Sequence, residues 1–309
     1  MKTEKSRSQF QPRGIIPAVI TPLTAEGRFN EKSMRKLIDY LLDGGVHGLF
    51  VAGTTGEFYG LSPEEKRDIF LVTMDQTGGR VPVYAGTNGI TTRESVMLTQ
   101  LAEECDVDAV SVLTPMFVAP SQQQLISHYE TIASATSLPV LLYNNPPKTG
   151  VNLAAETVAR LAEVANIAGI KDSSGDLTLT AEYIRLTRRR DDFSVLMGRD
   201  TLIYGGLCYG AAGSIAACAN VAPRLCADIY EKYMAGDLSG SLEAQFTLAP
   251  LRIAFAIGTF PAVIKESLTL LGIEAGPCMA PAGPLTQEER EKLRHVLTGM
   301  GLPVDMGSR

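Results

Sequence analysis

The chain has 309 residues, 45% of them hydrophobic, which is material for one large core or two ordinary ones. The formal net charge is −6 and the one basic block, the arginines at 188–190, reads as the solvated end of a helix, so nucleic acid and anionic membrane are excluded as expected partners. The polar amino terminus lacks the apolar core of a signal peptide and no run of about eighteen apolar residues occurs, so the expectation is a soluble, cytoplasmic protein.

Residues 1–13 read as a flexible polar arm. From Gly14 onward short β-rich runs alternate with amphipathic stretches. The runs are 14–20, 48–52, 81–86, 109–113, 139–143, 167–171, 193–197 and 211–216. Helical patterns fall at 31–43, 63–76, 92–104, 122–135, 154–164, 177–187, 201–208 and 223–235. Asn30, Ser62 followed by Pro63 and Glu65, and Ser121 followed by glutamines mark helix starts. Eight alternations imply a parallel sheet closed as a (β/α)8 TIM barrel over 14–235. The remainder, 236–309, reads as a helical carboxyl-terminal extension, with helices over 237–248, 250–271 and 287–298.

Five cysteines, Cys105, Cys208, Cys218, Cys226 and Cys278, show no C-x-x-C spacing and read as reduced, mostly small core residues. His47, His128 and His295 stand far apart, so no metal site is expected. The glycines at 205, 206, 210 and 213 make no dinucleotide fingerprint, and neither a phosphate-binding loop nor a G-x-S-x-G elbow occurs.

In such a barrel the chemistry gathers at the carboxyl ends of the strands. The second run ends in Gly53-Thr54-Thr55-Gly56-Glu57, the fifth in Tyr143-Asn144-Asn145-Pro146, the sixth in Lys171 and the seventh in Gly198-Arg199-Asp200. An amine among apolar neighbours loses proton affinity, and the neutral form is the one that attacks a carbonyl, so Lys171 reads either as a Schiff-base nucleophile or as a strand-end lysine in solvent. Alternation puts Ser173 on its face and Asp172 on the other. Thr54 and Thr55 form either a carboxylate-holding turn or an ordinary polar loop. Tyr143 is either a proton relay or a core tyrosine whose hydroxyl has found a partner.

G-T-T-G-E at 53–57, L-Y-N-N-P-P-K-T-G at 142–150 and G-I-K-D at 169–172, in this order, resemble the dihydrodipicolinate synthase and N-acetylneuraminate lyase family over nearly the whole chain. The resemblance implies a barrel with a helical extension, a homotetramer built from tight dimers, and a Schiff base with a 2-oxo acid such as pyruvate, without metal or organic cofactor. It implies Lys171 as the imine-forming lysine, Tyr143 as proton shuttle with Thr54, Thr55 as carboxylate holder, Ile215 through its backbone carbonyl, and Asp200 as a contact to substrate hydroxyls. Two positions depart from the synthases: Lys148 stands where they carry an arginine for the aldehyde's carboxylate, and Phe117 where they carry a relay tyrosine. Ser173 resembles the family's aldolases for 4-hydroxy-2-oxo acids and 2-keto-3-deoxy sugar acids.

The expected function is therefore a lyase or aldolase that cleaves such an acid reversibly to pyruvate and an aldehyde through an imine on Lys171. The alternatives are 4-hydroxy-tetrahydrodipicolinate synthase, a deoxy sugar acid dehydratase, and a non-catalytic 2-oxo acid binding protein. Phe58, Tyr59, Phe117 and Val118 belong to the loops expected around the aldehyde side or to packing at the mouth.

Overall fold

The computed structural model describes residues 10–304. The expected amino-terminal arm lies outside the described residues as far as residue 9, as do residues 305–309 of the expected extension. Eight strands follow one another: β1 (Gly14–Pro17), β2 (Leu49–Val51), β3 (Val83–Gly86), β4 (Ala109–Leu113), β5 (Val140–Asn144), β6 (Ile167–Asp172), β7 (Ser194–Met197) and β8 (Gly213–Ala216). All pair in parallel in the order β1-β8-β7-β6-β5-β4-β3-β2. A parallel bridge between Ala18 and Phe50, with Val19 N–H donating to the Phe50 carbonyl at 2.8 Å, joins the two ends, so the sheet closes as a (β/α)8 barrel.

Every residue of every strand is buried. One face meets the barrel interior and the other the helices, which is why these runs are apolar with little polar alternation. The interior is filled by Ile16, Phe50, Tyr84, Leu113, Leu141, Leu196 and Ile215, with Phe10 packed on Tyr84 at 5.6 Å between ring centroids.

The helices between strands are α1 (Glu31–Asp43), α2 (Pro63–Thr77), α3 (Thr92–Glu104), α4 (Gln122–Ser134), α5 (Pro146–Thr149), α6 (Ala155–Leu161), α7 (Leu177–Thr187) and α8 (Ile203–Tyr209), and α9 (Pro223–Met234) follows β8. Their starts use the predicted caps: Asn30 accepts from Ser33 N–H, and Ser62 with Glu65 and Ser121 with Gln124 close capping boxes. The single turn α5, beginning at Pro146, is not read from the sequence; a four-residue helix is too short to show a period.

Three further helices follow, α10 (Leu238–Ala254), α11 (Ala262–Leu270) and α12 (Gln287–Gly299). The expected break before Pro250 is a misreading: Pro250 lies inside α10 and the chain breaks at 255–261. Pro250 and Phe246, whose carbonyl it leaves without an amide partner, are both exposed, and the helix continues past them. Among the described residues no helix is long and apolar enough to cross a membrane.

Candidate active site

Strand register builds the site. Tyr143 on β5 is the direct neighbour of Lys171 on β6, so both project into the barrel interior near the carboxyl ends of their strands. Lys171 is only 3% exposed. Its Nζ lies 4.2 Å from the centre of the Tyr143 ring and 4.9 Å from that of Phe50, and the two rings meet edge to face. Ring faces of this kind attract an ammonium without neutralising it. Asp172, one residue on, points away from the interior, where Asn144, the Ser174 amide and hydroxyl, and the Thr180 hydroxyl donate to its carboxylate at 2.6–3.1 Å. The alternation thus separates this carboxylate from the amine beside it in sequence.

Close to the phenol oxygen of Tyr143 stand the Thr54 hydroxyl at 3.3 Å and the Asn145 amide at 3.0 Å. Burial alone raises the pKa of this phenol. The Lys171 charge and hydrogen bonding with Thr54, Ser173 and Asn145 act the other way, and together they bring it below the ordinary tyrosine value.

The turn that presents Thr54 and the buried Thr55 is tight. A Cβ on Gly56 would lie 2.9 Å from the Val19 carbonyl oxygen, and the Thr21 hydroxyl donates to the Gly56 carbonyl at 2.7 Å. Glu57, in the left-handed region at φ 56°, ends the turn and is fully buried. Its carboxylate meets Lys265 Nζ of α11 at 2.5 Å and accepts from the Met279 amide at 2.7 Å, and the same ammonium donates to the Pro277 carbonyl at 2.7 Å. The carboxyl-terminal extension therefore holds the end of the threonine turn.

Ser173 donates its hydroxyl to the Gly198 carbonyl at 3.4 Å. A Cβ on Gly198 would sit 2.0 Å from that hydroxyl oxygen and 2.7 Å from the Asp172 carbonyl oxygen, so glycine is required where β7 leaves the barrel. Ile215 packs in the interior cluster that contains Tyr143 and Leu196. Lys171, Tyr143, Thr54 and Ser173 thus come together, with Thr55 and Ile215 beside them.

One expected residue is placed differently. Asp200, read as a contact to substrate hydroxyls, has its carboxylate committed elsewhere: it accepts from the Cys218 amide at 2.8 Å and lies 3.4 Å from Arg252 Nε of α10, at 2% exposure. Its carbonyl also accepts from Gln245 of α10 at 2.9 Å. It anchors the extension; its place next to a strand end does not reveal which way it turns. Lys148 is exposed on α5 with Nζ 5.9 Å from the centre of the Phe260 ring, in the segment joining α10 to α11.

Of the loop aromatics, Phe58 is buried against Tyr59, whereas Phe117 is 96% exposed with φ 71° and Val118 is half exposed. Residues not anticipated are Phe50, Asn145, Gly198 and the Glu57–Lys265 pair. Phe50 was readable from the period of two, which turns it inward on β2. Glu57, Asn145 and Gly198 stand in the strand-end stretches, but their contacts to Lys265, Tyr143 and Ser173 are set only by the folded chain. Among the described residues no group of three or more His, Cys, Asp or Glu side chains is placed to hold a metal ion.

The model of the dihydrodipicolinate synthetase family matches residues 11–300. The chain is 38% identical over 288 residues to a 4-hydroxy-tetrahydrodipicolinate synthase of Methanothrix thermoacetophila, covering 93% of this chain and 97% of that one. It is 37% identical over 307 residues to the Methylobacterium radiotolerans protein of that name, covering 98% and 100%. Among solved structures it is similar to a prophage protein of the dihydrodipicolinic acid synthase family from E. coli K12 in complex with pyruvate, with TM-score 0.91, 34% identity and coverage of 94% and 99%. The dihydrodipicolinate synthase of Thermotoga maritima gives TM-score 0.92 at 33% identity, with coverage of 95% and 100%.

Proposed function

Because the chain belongs to the dihydrodipicolinate synthetase family, we propose that this lyase of the class I aldolase type works through an imine between Lys171 and the C2 carbonyl of pyruvate or a pyruvate-derived 2-oxo acid. The observation that carries the assignment to Lys171 is its register with Tyr143, which sets a buried amine 4.2 Å from the centre of a phenol ring at one end of the barrel. Neutral Nζ adds to C2, and the carbinolamine oxygen takes a proton and leaves as water. The iminium then withdraws electrons from C3.

In the cleavage direction the C4 hydroxyl gives up its proton, the C3–C4 bond breaks and an aldehyde leaves an enamine. Protonation at C3 and hydrolysis return pyruvate and the free lysine. Tyr143 carries the protons, oriented by Thr54. Thr55 and the amides of its turn hold the 2-oxo acid's carboxylate, with the Ile215 carbonyl and the Ser173 hydroxyl facing the reacting chain. Lys148 lies to the aldehyde side, in the α5 turn. The covalent imine takes the place of a cofactor.

The names of the relatives favour a second reading within the same chemistry, 4-hydroxy-tetrahydrodipicolinate synthase, in which the enamine attacks aspartate semialdehyde. Borohydride reduction with pyruvate followed by peptide mapping tests the common step. The expected result is a pyruvate-derived mass on Lys171, and its absence with both pyruvate and 2-keto-3-deoxygluconate would overturn the proposal. Parallel assays with aspartate semialdehyde and with 2-keto-3-deoxy acids separate the two readings. The proposal includes a cytoplasmic homotetramer of tight dimers. The exposure of Phe117 and Val118 supports an interface there, and light scattering of the purified chain measures the assembly.

A further inference from the structure

Asn145 sits one residue beyond β5, nearly buried, and its amide nitrogen is 3.0 Å from the Tyr143 phenol oxygen. An amide nitrogen only donates, so at this contact the phenol oxygen is an acceptor and its own proton is left for Thr54 or for the reacting atoms. The backbone that carries this amide is held in place. The Asn145 backbone carbonyl accepts from the Lys148 and Thr149 amides at 2.9 and 3.1 Å and from the Thr149 hydroxyl at 3.2 Å, and Thr149 is tied to Thr114 at 3.0 Å, beyond the end of β4. The charged group against Tyr143 is Lys171 on β6. From the other elements it meets Phe50 on β2 and the hydroxyls of Thr54 and Ser173.

We propose that Asn145 is a positioning residue for proton transfer by Tyr143, its N–H holding the phenolate oxygen at the moment when the phenol has given its proton to the departing oxygen and before it takes one back. The inference rests on the proton-transfer role proposed above for Tyr143. A donor to the charged form stabilises that form, and the lowered pKa of Tyr143 agrees with this direction.

The test compares Asn145→Leu, Asn145→Asp and Tyr143→Phe with the wild type. One readout is the exchange of pyruvate methyl hydrogens for deuterium in D2O, which needs the imine and proton transfer but no aldehyde. A second is the tyrosinate absorbance titration, with Tyr143→Phe identifying the Tyr143 contribution. A third is the yield of borohydride capture. Asn145→Leu is expected to slow exchange about tenfold or more, the size of one hydrogen bond to a charged group. It should also move the pH dependence and the Tyr143 titration upward while capture yield is kept.

Asn145→Asp, of the same shape but without the donor, is expected to move both further and serves if the leucine variant does not fold. Titrations and pH dependences coinciding with the wild type in the folded variants would overturn the inference, whatever the rates do. Wild-type exchange in Tyr143→Phe would instead overturn the role of Tyr143 itself.

Discussion

The Glu57 carboxylate and the Lys265 ammonium meet at 2.5 Å with both side chains almost wholly inaccessible to water, although one belongs to the turn after β2 and the other to α11. Two charges taken out of water are tolerable only when their remaining bonds are made, and the Met279 amide and the Pro277 carbonyl make them. The pair joins the threonine turn of the site to the carboxyl-terminal extension.

Removing one partner strands the other. Lys265→Met is expected to destabilise the fold by about 3–5 kcal/mol and to raise KM for pyruvate by loosening the turn that carries Thr54 and Thr55. Glu57→Gln combined with Lys265→Met should recover part of the stability. Denaturant unfolding of the single and double variants measures both effects, and a double variant no more stable than Lys265→Met would remove the pairing argument.

Lys171→Ala should abolish borohydride capture, whereas Tyr143→Phe should retain capture and lose roughly a hundredfold to ten-thousandfold in turnover, the usual span for general acid–base catalysis. Steady-state rates set beside capture yields distinguish the two. Equal loss of capture in both would mean that Tyr143 is needed to build the amine's environment and not to move protons.

His128 on α4 gives a pH prediction. Burial lowers its pKa to about 4, with Nδ1 on the Thr92 hydroxyl at 2.9 Å and Nε2 buried without a partner. The unfolded chain then binds a proton that the folded chain refuses. The stability due to the neutral ring is complete above the unfolded value of 6.5 and is lost as pH falls from there through about 4. The slope in that window should approach about 1.4 kcal/mol per pH unit, and His128→Leu should flatten it in urea midpoints taken at successive pH values.

Asp200 and Gly198 stand two residues apart and should fail in opposite ways. Asp200→Ala leaves the Cys218 amide and Arg252 without their acceptor, so stability falls while KM for the 2-oxo acid is unchanged. Gly198→Ala forces a methyl group against the Ser173 hydroxyl and the Asp172 carbonyl. It should cut kcat/KM at least about tenfold, one lost transition-state hydrogen bond. Adding Ser173→Gly should not restore it, because the Asp172 carbonyl remains in the way. Thermal unfolding and steady-state kinetics on the same preparations separate these outcomes.

The barrel was legible because its determinants are local. Strands buried on both faces must be apolar runs, helices that need donors satisfied at their starts carry Asn30, Ser62 and Ser121, and alternation alone puts Lys171 inside and Asp172 outside. The placing of Thr54, Tyr143 and Lys171 at one end follows from the same reading, since each closes a predicted strand.

Contacts across the chain were not legible. Glu57 reaches Met279 over 222 residues, and nothing near either residue announces the other. Asp200 turns toward Cys218 and α10 because the extension packs there and supplies Arg252 and Gln245, a choice that no window around Gly198-Arg199-Asp200 contains. Pro250 continues a helix because it and Phe246, whose carbonyl it leaves without a partner, stand on the exposed side, which depends on the face α10 buries. Periodicity and capping act within a few residues and are written in the sequence, whereas the partner of a buried charge, and the face an isolated polar side chain presents, are chosen only when distant segments pack and water is expelled.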